Sequence, residues 1–169
     1  MKALILIAAV MASPAAAEVV SANSNGFEIR HSVDVASPPT VAFARFGNVG
    51  SWWSGEHSYS GNAANLSMAL RPGGCWCEKL PNGGGVQHMQ VAFVDPGKRL
   101  ILTGSLGPLL YLATNGVMDV QFKPGGKGTQ VTVDYRVSGF FNGGADKIAP
   151  GVDAVLGEQV KRFAAVGSR

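Results

Sequence analysis

Charged residues are scarce in this chain of 169 residues. Asp, Glu, Lys and Arg together make up 15% of the sequence, whereas about a quarter is usual in soluble domains. The formal net charge is +3, from 14 basic and 11 acidic side chains, and the basic residues are spread along the chain without forming a run. The sequence therefore lacks the cationic stripe that follows a phosphate backbone, and it predicts no nucleic-acid partner.

Several other signatures are missing. The chain has only two cysteines, and it contains no nucleophile elbow, no HExxH zinc motif and no dinucleotide-binding glycine fingerprint. Imidazole chemistry has three candidates, which are His31, His57 and His88. No cofactor is expected, and no metal site is favoured. Because 46% of the residues are apolar, the sequence is a poor fit to a disordered chain and suits one domain with one buried core.

The N-terminal residues have the pattern of an export signal. A positively charged start precedes an apolar run from Ala3 to Ala12, and residues 15–17 are the small residues that a signal peptidase requires. The apolar run is well short of the ~20 residues of a membrane span. We expect cleavage after Ala17, a periplasmic or secreted location, and no transmembrane span in the mature chain. Residues 18–25 are expected to be a polar leader before a single domain over residues 26–166.

Alternation of apolar and polar residues predicts strands along most of the mature chain. Residues 27–35 alternate with period two, and this alternation places His31 on the inward face. Two short helices or turns are expected between this strand and about residue 55. Turns rich in glycine and proline then separate six further strand candidates, namely 66–70, 75–80, 86–94, 99–104, 117–122 and 130–137.

The period changes near the C-terminus. Residues 148–163 carry apolar side chains at helical spacing, and Pro150 is acceptable in the first turn of such a helix. A curved antiparallel sheet of about seven strands with one apolar face must cover that face, and this long helix is the one element large enough. We therefore predict an α+β fold in which the sheet wraps around the C-terminal helix and leaves an apolar cavity between them.

Short motifs spread over residues 26–165 carry a family resemblance. They include Trp52-Trp53 with His57 to Gly61, Gly74 to Glu78, Leu106 to Leu109, and Val152 to Leu156 with Gln159 and Arg162. Together with the order of elements, they resemble the helix-grip fold of the SRPBCC superfamily, which includes START lipid-transfer domains and polyketide cyclases. The resemblance implies an internal cavity and places the loop that carries His57 and Tyr59 at its mouth. It is specific for the fold, because members of the superfamily bind or transform very different molecules.

The segment Cys75-Trp76-Cys77 places both thiols on one face of a strand, because side chains repeat every second residue. On a regular strand, the two Cα atoms lie near the upper limit of about 6.8 Å for a disulfide. Structural zinc sites space their cysteines by roughly two to four residues. We therefore expect reduced thiols that are buried or line a pocket, with a metal pair and an oxidised pair as the alternatives.

Glu78 and His88 are candidates for acid–base groups. If the loop 81–85 closes a regular hairpin, Glu78 lies opposite His88 and both share a face with Trp76. Because the opposite face is more apolar, we expect Glu78 and His88 to form an ordinary surface pair across the strands. A bulge in this glycine-rich hairpin would change the register and reverse that assignment.

These features favour an exported protein that binds a small hydrophobic molecule or a lipid in an internal cavity. The side chains expected around the cavity are His31, Trp53, His57, Tyr59, Cys77, Met89, Val91, Met118, Val133, Tyr135, Val152 and Leu156. One alternative is an enzyme of the cyclase or dehydratase kind, with His57, Glu78 or His88 as acid–base groups in the cavity. Another is a partner-binding module with a filled core and an exposed patch at Trp52, Trp53 and Gly107-Pro108. The sequence leaves the oligomeric state open.

Overall fold

Eight strands and two α-helices make up the part of the chain that the computed structural model describes, residues 17–126 and 128–166. Short 3-10 turns connect several of them. The strands are β1 Ala17–Asn23, β2 Gly26–Val35, β3 Leu66–Met68, β4 Cys75–Lys79, β5 Gly85–Asp95, β6 Arg99–Gly104, β7 Thr114–Gly125 and β8 Gly128–Gly139. The helices are α1 Pro39–Gly47 and α2 Ala149–Val166.

The strands form one curved antiparallel sheet in the order β1-β2-β8-β7-β6-β5-β4-β3. β2 and β8 pair over their whole length, from Gly26 opposite Ser138 to Val35 opposite Thr129. Apolar side chains of both strands alternate into the core, as period-two patterning requires. The predicted α+β class, with an antiparallel sheet and a long C-terminal helix, is confirmed.

Residues 18–23 lie in β1, where the sequence predicts a polar leader. β1 is an edge strand that pairs with β2, and its side chains from Val20 to Asn23 are exposed. An exposed strand shows no apolar alternation, so its backbone hydrogen bonds to β2 leave no signal in the sequence. The sheet consequently has eight strands instead of about seven. The predicted export signal lies almost entirely outside the described residues, and cleavage after Ala17 stays a prediction.

One end of the molecule is filled by aromatic side chains. α1 packs against β7 and β8 and buries Phe43 and Phe46. The ring of Phe46 lies 5.2 Å from Trp52, 5.9 Å from Phe122 and 5.5 Å from Phe163, measured between centroids. The second of the two predicted short helices is a single 3-10 turn, Val49–Ser51, which leads into Trp52.

Helix α2 crosses the concave face of the sheet and packs against β2. Gly157 allows a close approach to His31, because a Cβ at this position would lie 2.7 Å from His31 Cε1. One turn earlier, Asp153 Oδ1 lies 2.9 Å from His31 Nε2. The helix is therefore fixed to β2 by a buried polar contact. Within the described residues, no helix has both the length and the apolar character that a bilayer span requires.

Candidate functional site

A cavity of about 720 Å³ opens beside the first half of α2. Apolar and aromatic side chains form most of its wall. The sheet and the tryptophan loop, residues 52–60, supply Trp53, Leu66, Trp76 and Tyr135. The loop after β6 supplies Leu106, Leu109, Tyr111 and Leu112. Helix α2 and the residue just before it supply Ile148, Val152, Val155 and Leu156. A volume of this size and a wall of this kind are typical of small-molecule sites.

Half of the side chains predicted around the cavity line it, namely Trp53, His57, Tyr59, Tyr135, Val152 and Leu156. The remaining six, His31, Cys77, Met89, Val91, Met118 and Val133, lie elsewhere. Four of those six are apolar residues that are fully buried in the packed part of the core. His31 lies beneath α2, and Cys77 lies on the opposite face of β4 from Trp76 and Glu78.

Helix α2 positions the tryptophan loop through two polar side chains. The Oε1 atom of Gln159 accepts a hydrogen bond of 2.7 Å from the backbone N–H of Ser54, and Arg162 Nε donates to the carbonyl of Trp52 at 3.0 Å. Trp53 in turn donates its indole N–H to the carbonyl of His57 at 2.8 Å. Both tryptophans are buried, so they do not form the exposed patch that the partner-binding alternative requires.

A bulge in the β4–β5 hairpin turns Glu78 and His88 inward. Glu78 lies opposite Val86, whereas Trp76 lies opposite Met89, and the register shifts between them. His88 is the extra residue on β5, so it and Met89 are both buried. The prediction of a surface pair is therefore wrong, and the reason is the change of register that a bulge produces.

The carboxylate of Glu78 is held by three donors behind the cavity wall. It accepts hydrogen bonds from the backbone N–H groups of Tyr59, at 3.1 Å, and Ser60, and from His88 Nε2 at 2.9 Å. Glu78 is 1% exposed and lies behind His88, which is 6% exposed and forms part of the wall. The bulge, the loop after the tryptophans and the hairpin together build this dyad.

The surroundings of the dyad set its charge. Burial by itself raises the pKa of Glu78, but hydrogen bonds from Ser60, from the backbone of Tyr59 and from His88 outweigh burial and hold that pKa below its ordinary value. Burial lowers the pKa of His88, and the contact with Glu78 offsets this only in part. At neutral pH, Glu78 is therefore ionised and His88 is neutral.

Two tyrosines of the wall keep their protons. Burial raises the pKa of Tyr135 to about 12, and its hydroxyl donates to the carbonyl of Gly104 at 3.2 Å while it accepts from the N–H of Leu106 at 3.1 Å. Burial, followed by the hydroxyl of Tyr111, raises the pKa of Tyr59 to about 12. Tyr59 donates to the carbonyl of Gly107 at 2.7 Å and so ties the tryptophan loop to the loop after β6.

The rim of the cavity carries both polar and apolar side chains. His57 Nε2 lies 3.2 Å from Glu158 Oε2, and both side chains are partly or largely exposed. Tyr111 is 74% exposed and Leu112 is 38% exposed, although both also line the cavity. His57, an acid–base candidate, thus contacts Glu158 at the rim, whereas His88 pairs with Glu78.

The two cysteines form a disulfide, Cys75–Cys77, with their Cα atoms 5.3 Å apart. This corrects the expectation of reduced thiols. The register shift that follows Trp76 interrupts the regular strand, and the Cα atoms come within the usual range for a disulfide. No group of three or more His, Cys, Asp or Glu side chains in the described ranges is arranged to hold a metal ion.

The loop after β6 lines the cavity, whereas the sequence placed its Gly107-Pro108 segment in an exposed patch for a partner. Residues 106–112 read Leu-Gly-Pro-Leu-Leu-Tyr-Leu, and the 3-10 turn Gly107–Tyr111 carries them over the cavity. A loop with this many large apolar side chains is unusual, because most connections between strands are polar. This composition is the signal from which the sequence could have predicted that the loop covers an apolar cavity.

The sequence matches no known protein-family profile, and a search of curated proteins finds no significant relative. Solved structures are similar in fold. An uncharacterised protein from Rhizobium leguminosarum aligns with a TM-score of 0.60 and 18% identity over 86% of this chain and 97% of its own. The Mll3558 protein from Rhizobium loti gives 0.58 and 22% identity over 85% and 96%.

A third structure comes from a biosynthetic locus. DynU16, a protein of the dynemicin biosynthetic locus, aligns with a TM-score of 0.57 and 18% identity over 82% of this chain and 46% of its own. Likeness at these identities concerns the fold alone. What these structures share with the chain is the fold, an α+β arrangement of a curved antiparallel sheet and a C-terminal helix.

Proposed function

We propose that this protein is an exported member of the SRPBCC superfamily that binds a small hydrophobic molecule in the cavity beside α2. The observation that carries the proposal is the cavity itself, about 720 Å³ in volume and walled mainly by apolar and aromatic side chains. Binding in such a space depends mostly on burial of apolar surface, at about 25 cal/mol per Å². A few polar groups then set the orientation of the ligand.

Three further observations support the proposal. The rim exposes Tyr111 and Leu112, side chains that a soluble domain normally buries, at the point where a ligand enters. The apolar run from Ala3 to Ala12, followed by small residues, supports export. A disulfide between Cys75 and Cys77 fits an oxidising compartment outside the cytosol.

The first experiment is mass spectrometry of the protein expressed from its full sequence in a bacterial host and purified from the periplasm. We expect a denatured mass that corresponds to a chain starting at Glu18, and a native mass that exceeds it by an organic molecule. A chain that retains residues 1–17 and stays in the cytoplasm would contradict export.

A cavity-filling variant tests the binding site. We expect Val152→Trp with Leu156→Trp to weaken binding of the neutral fluorescent probe N-phenyl-1-naphthylamine at least tenfold, because both side chains line the cavity. Val41→Trp, at an exposed position of α1, is the matched control and should leave the titration unchanged. A folded double variant that binds the probe with undiminished affinity would exclude an internal site.

An acid–base enzyme is the second candidate, and the inward position of the Glu78–His88 dyad favours it. A neutral imidazole backed by an ionised carboxylate is a common arrangement for a general base. If the bound molecule is chemically altered during incubation and Glu78→Gln abolishes the change, the protein is an enzyme. A ligand recovered unaltered supports the carrier.

A further inference from the structure

The polar side chains of the cavity wall divide into those at the exposed rim and those in the buried interior. Glu56, His57, Tyr111 and Lys147 are exposed. In the interior, the buried side chains of the wall that carry a polar atom are Trp53, Trp76, His88 and Tyr135, and the indole N–H of Trp53 donates to the carbonyl of His57. The hydroxyl of Tyr135 already donates to Gly104 and accepts from Leu106. Two of these groups keep unfilled hydrogen-bonding capacity: the indole N–H of Trp76, a donor buried without a partner, and the second ring nitrogen of His88, whose Nε2 pairs with Glu78. Of the two, His88 is the one that can accept a hydrogen bond from a ligand.

The protonation of His88 follows from its partner. An ionised carboxylate only accepts hydrogen bonds, and Glu78 accepts at 2.9 Å from His88 Nε2. Nε2 must therefore carry the proton, and in a neutral imidazole Nδ1 is then an acceptor. Among the described residues, Nδ1 has no hydrogen-bond partner. An acceptor that stays without a donor in an apolar surrounding is costly, so a ligand that supplies a donor recovers this interaction.

The surroundings of His88 hold its ring in a fixed orientation. Its centroid lies 5.7 Å from the ring of Tyr59 and 6.3 Å from the ring of Trp76, both of which belong to the cavity wall. Glu78 fixes the third side through Nε2, and the backbone of Tyr59 and Ser60 fixes Glu78 in turn. The imidazole is thus an anchored acceptor in an apolar and aromatic surrounding, as selective hydrogen bonding requires.

Charge near the dyad narrows the class of ligand further. Glu78 is ionised and buried directly behind His88. A second carboxylate beside it would meet a like charge in a desolvated site. In the described part of the wall, the one Lys or Arg is Lys147, which is exposed at the rim. An ammonium group would lose its hydration on entering an apolar interior. A neutral hydrogen-bond donor avoids both the repulsion from Glu78 and the loss of hydration of an ammonium group.

We propose that His88 Nδ1 is the polar anchor of the cavity and that it selects apolar molecules carrying a neutral hydroxyl group. The ligand class is accordingly a long-chain alcohol, a sterol or a phenol, with its hydroxyl next to His88 and its apolar body against α2 and the loop after β6. This inference rests on the proposed function, since it names the chemistry that the same cavity recognises.

The test is competition against N-phenyl-1-naphthylamine bound to the full mature protein, with four ligands of one chain length at neutral pH. These are lauryl alcohol, lauryl methyl ether, lauric acid and laurylamine. We expect the alcohol to compete about tenfold better than the ether, which has no donor, in keeping with one hydrogen bond in a dry site. The acid and the amine should compete more weakly than the alcohol.

Two variants connect the preference to His88. His88→Phe and His88→Leu both remove Nδ1 and supply no other acceptor, so the second variant covers the case in which the first fails to fold. In both, the alcohol and the ether should compete equally. His31→Gln is the matched control, because His31 is buried outside the cavity, and it should keep the preference for the alcohol.

The outcomes separate the two proposals. If neither the probe nor any of the four compounds binds, the carrier function itself fails. If all bind equally well and His88→Leu changes nothing, the protein is a carrier but His88 is not its anchor. A preference for the acid or the amine would likewise overturn the anchor and assign recognition to charge. The expected pattern, with its loss in the His88 variants, supports the anchor.

Discussion

Among individual residues, the cysteine pair closes a very small covalent ring. The chain-entropy relation gives about 1–2 kcal/mol for a disulfide that spans so few residues. We therefore expect Cys75→Ser with Cys77→Ser to lower the free energy of unfolding by about that amount, measured by urea denaturation. The wild-type protein treated with a reductant should lose the same stability as the double variant. If the reductant and the substitutions both leave the midpoint unchanged, the two sulfurs are not bonded in solution.

Residue-level prediction from the sequence succeeded where period-two alternation is regular and failed where it is interrupted. His31 lies inward as the alternation of β2 predicts. Glu78 and His88 do not follow their pattern, since one extra residue in β5 shifts the register of the hairpin. A bulge depends on how two strands meet, and the glycines of the loop permit several such arrangements. The sequence alone therefore indicates that a bulge is possible but does not locate it.

Helix α2 depends on one glycine for its distance from the sheet. A Cβ on Gly157 would lie 2.7 Å from His31 Cε1, whereas a Cβ on Gly151 would have no heavy atom within 4 Å. We expect Gly157→Ala to destabilise the protein by about 1–3 kcal/mol through overpacking. Gly151→Ala should leave stability unchanged or raise it by up to about 1 kcal/mol, because alanine favours helix.

Thermal unfolding of the two alanine variants checks this difference. Both substitutions add the same methyl group to the same helix, so Gly151→Ala controls for helix propensity. Equal midpoints for the two variants would mean that α2 does not approach β2 closely at Gly157.

Element-level prediction depended on how much of each element is buried. The strands that alternate strongly and the long C-terminal helix were found from the sequence, and β6 has the predicted bounds. β1 was missed because its exposed side chains carry no pattern, and the loop after β6 was given a different role because loops are usually read as connections. The cavity wall contains that loop, so this part of the wall could not be predicted from periodicity.

The whole molecule should lose stability below neutral pH. In the folded protein the pKa values of His31 and His88 lie below 6.5, because burial outweighs the contacts with Asp153 and Glu78. Below that value the unfolded chain binds protons that the folded chain excludes, so unfolding becomes more favourable as the pH falls. Each histidine contributes up to about 1.4 kcal/mol per pH unit over this range.

Thermal unfolding between about pH 7.5 and pH 5 measures this dependence. Glu78 acts in the same direction at lower pH. Its folded pKa lies below 4.5, so the stability it provides is present above that value and is lost as the pH falls through the folded pKa. His88→Gln should flatten the upper part of the curve. A midpoint that stays constant from about pH 7 to pH 5 would show that folding does not lower the pKa of either histidine.

The two halves of α2 have different roles, one in holding the fold together and one in lining the cavity. Its C-terminal half carries Gln159, Arg162 and Phe163, which hold the tryptophan loop and the aromatic core. Its N-terminal half carries Val152 and Val155, which face the cavity and are only half-buried. Substitutions in the N-terminal half can therefore change the shape of the cavity while the C-terminal half keeps the domain folded. A helix of this kind allows related chains to bind different ligands while they keep the same fold.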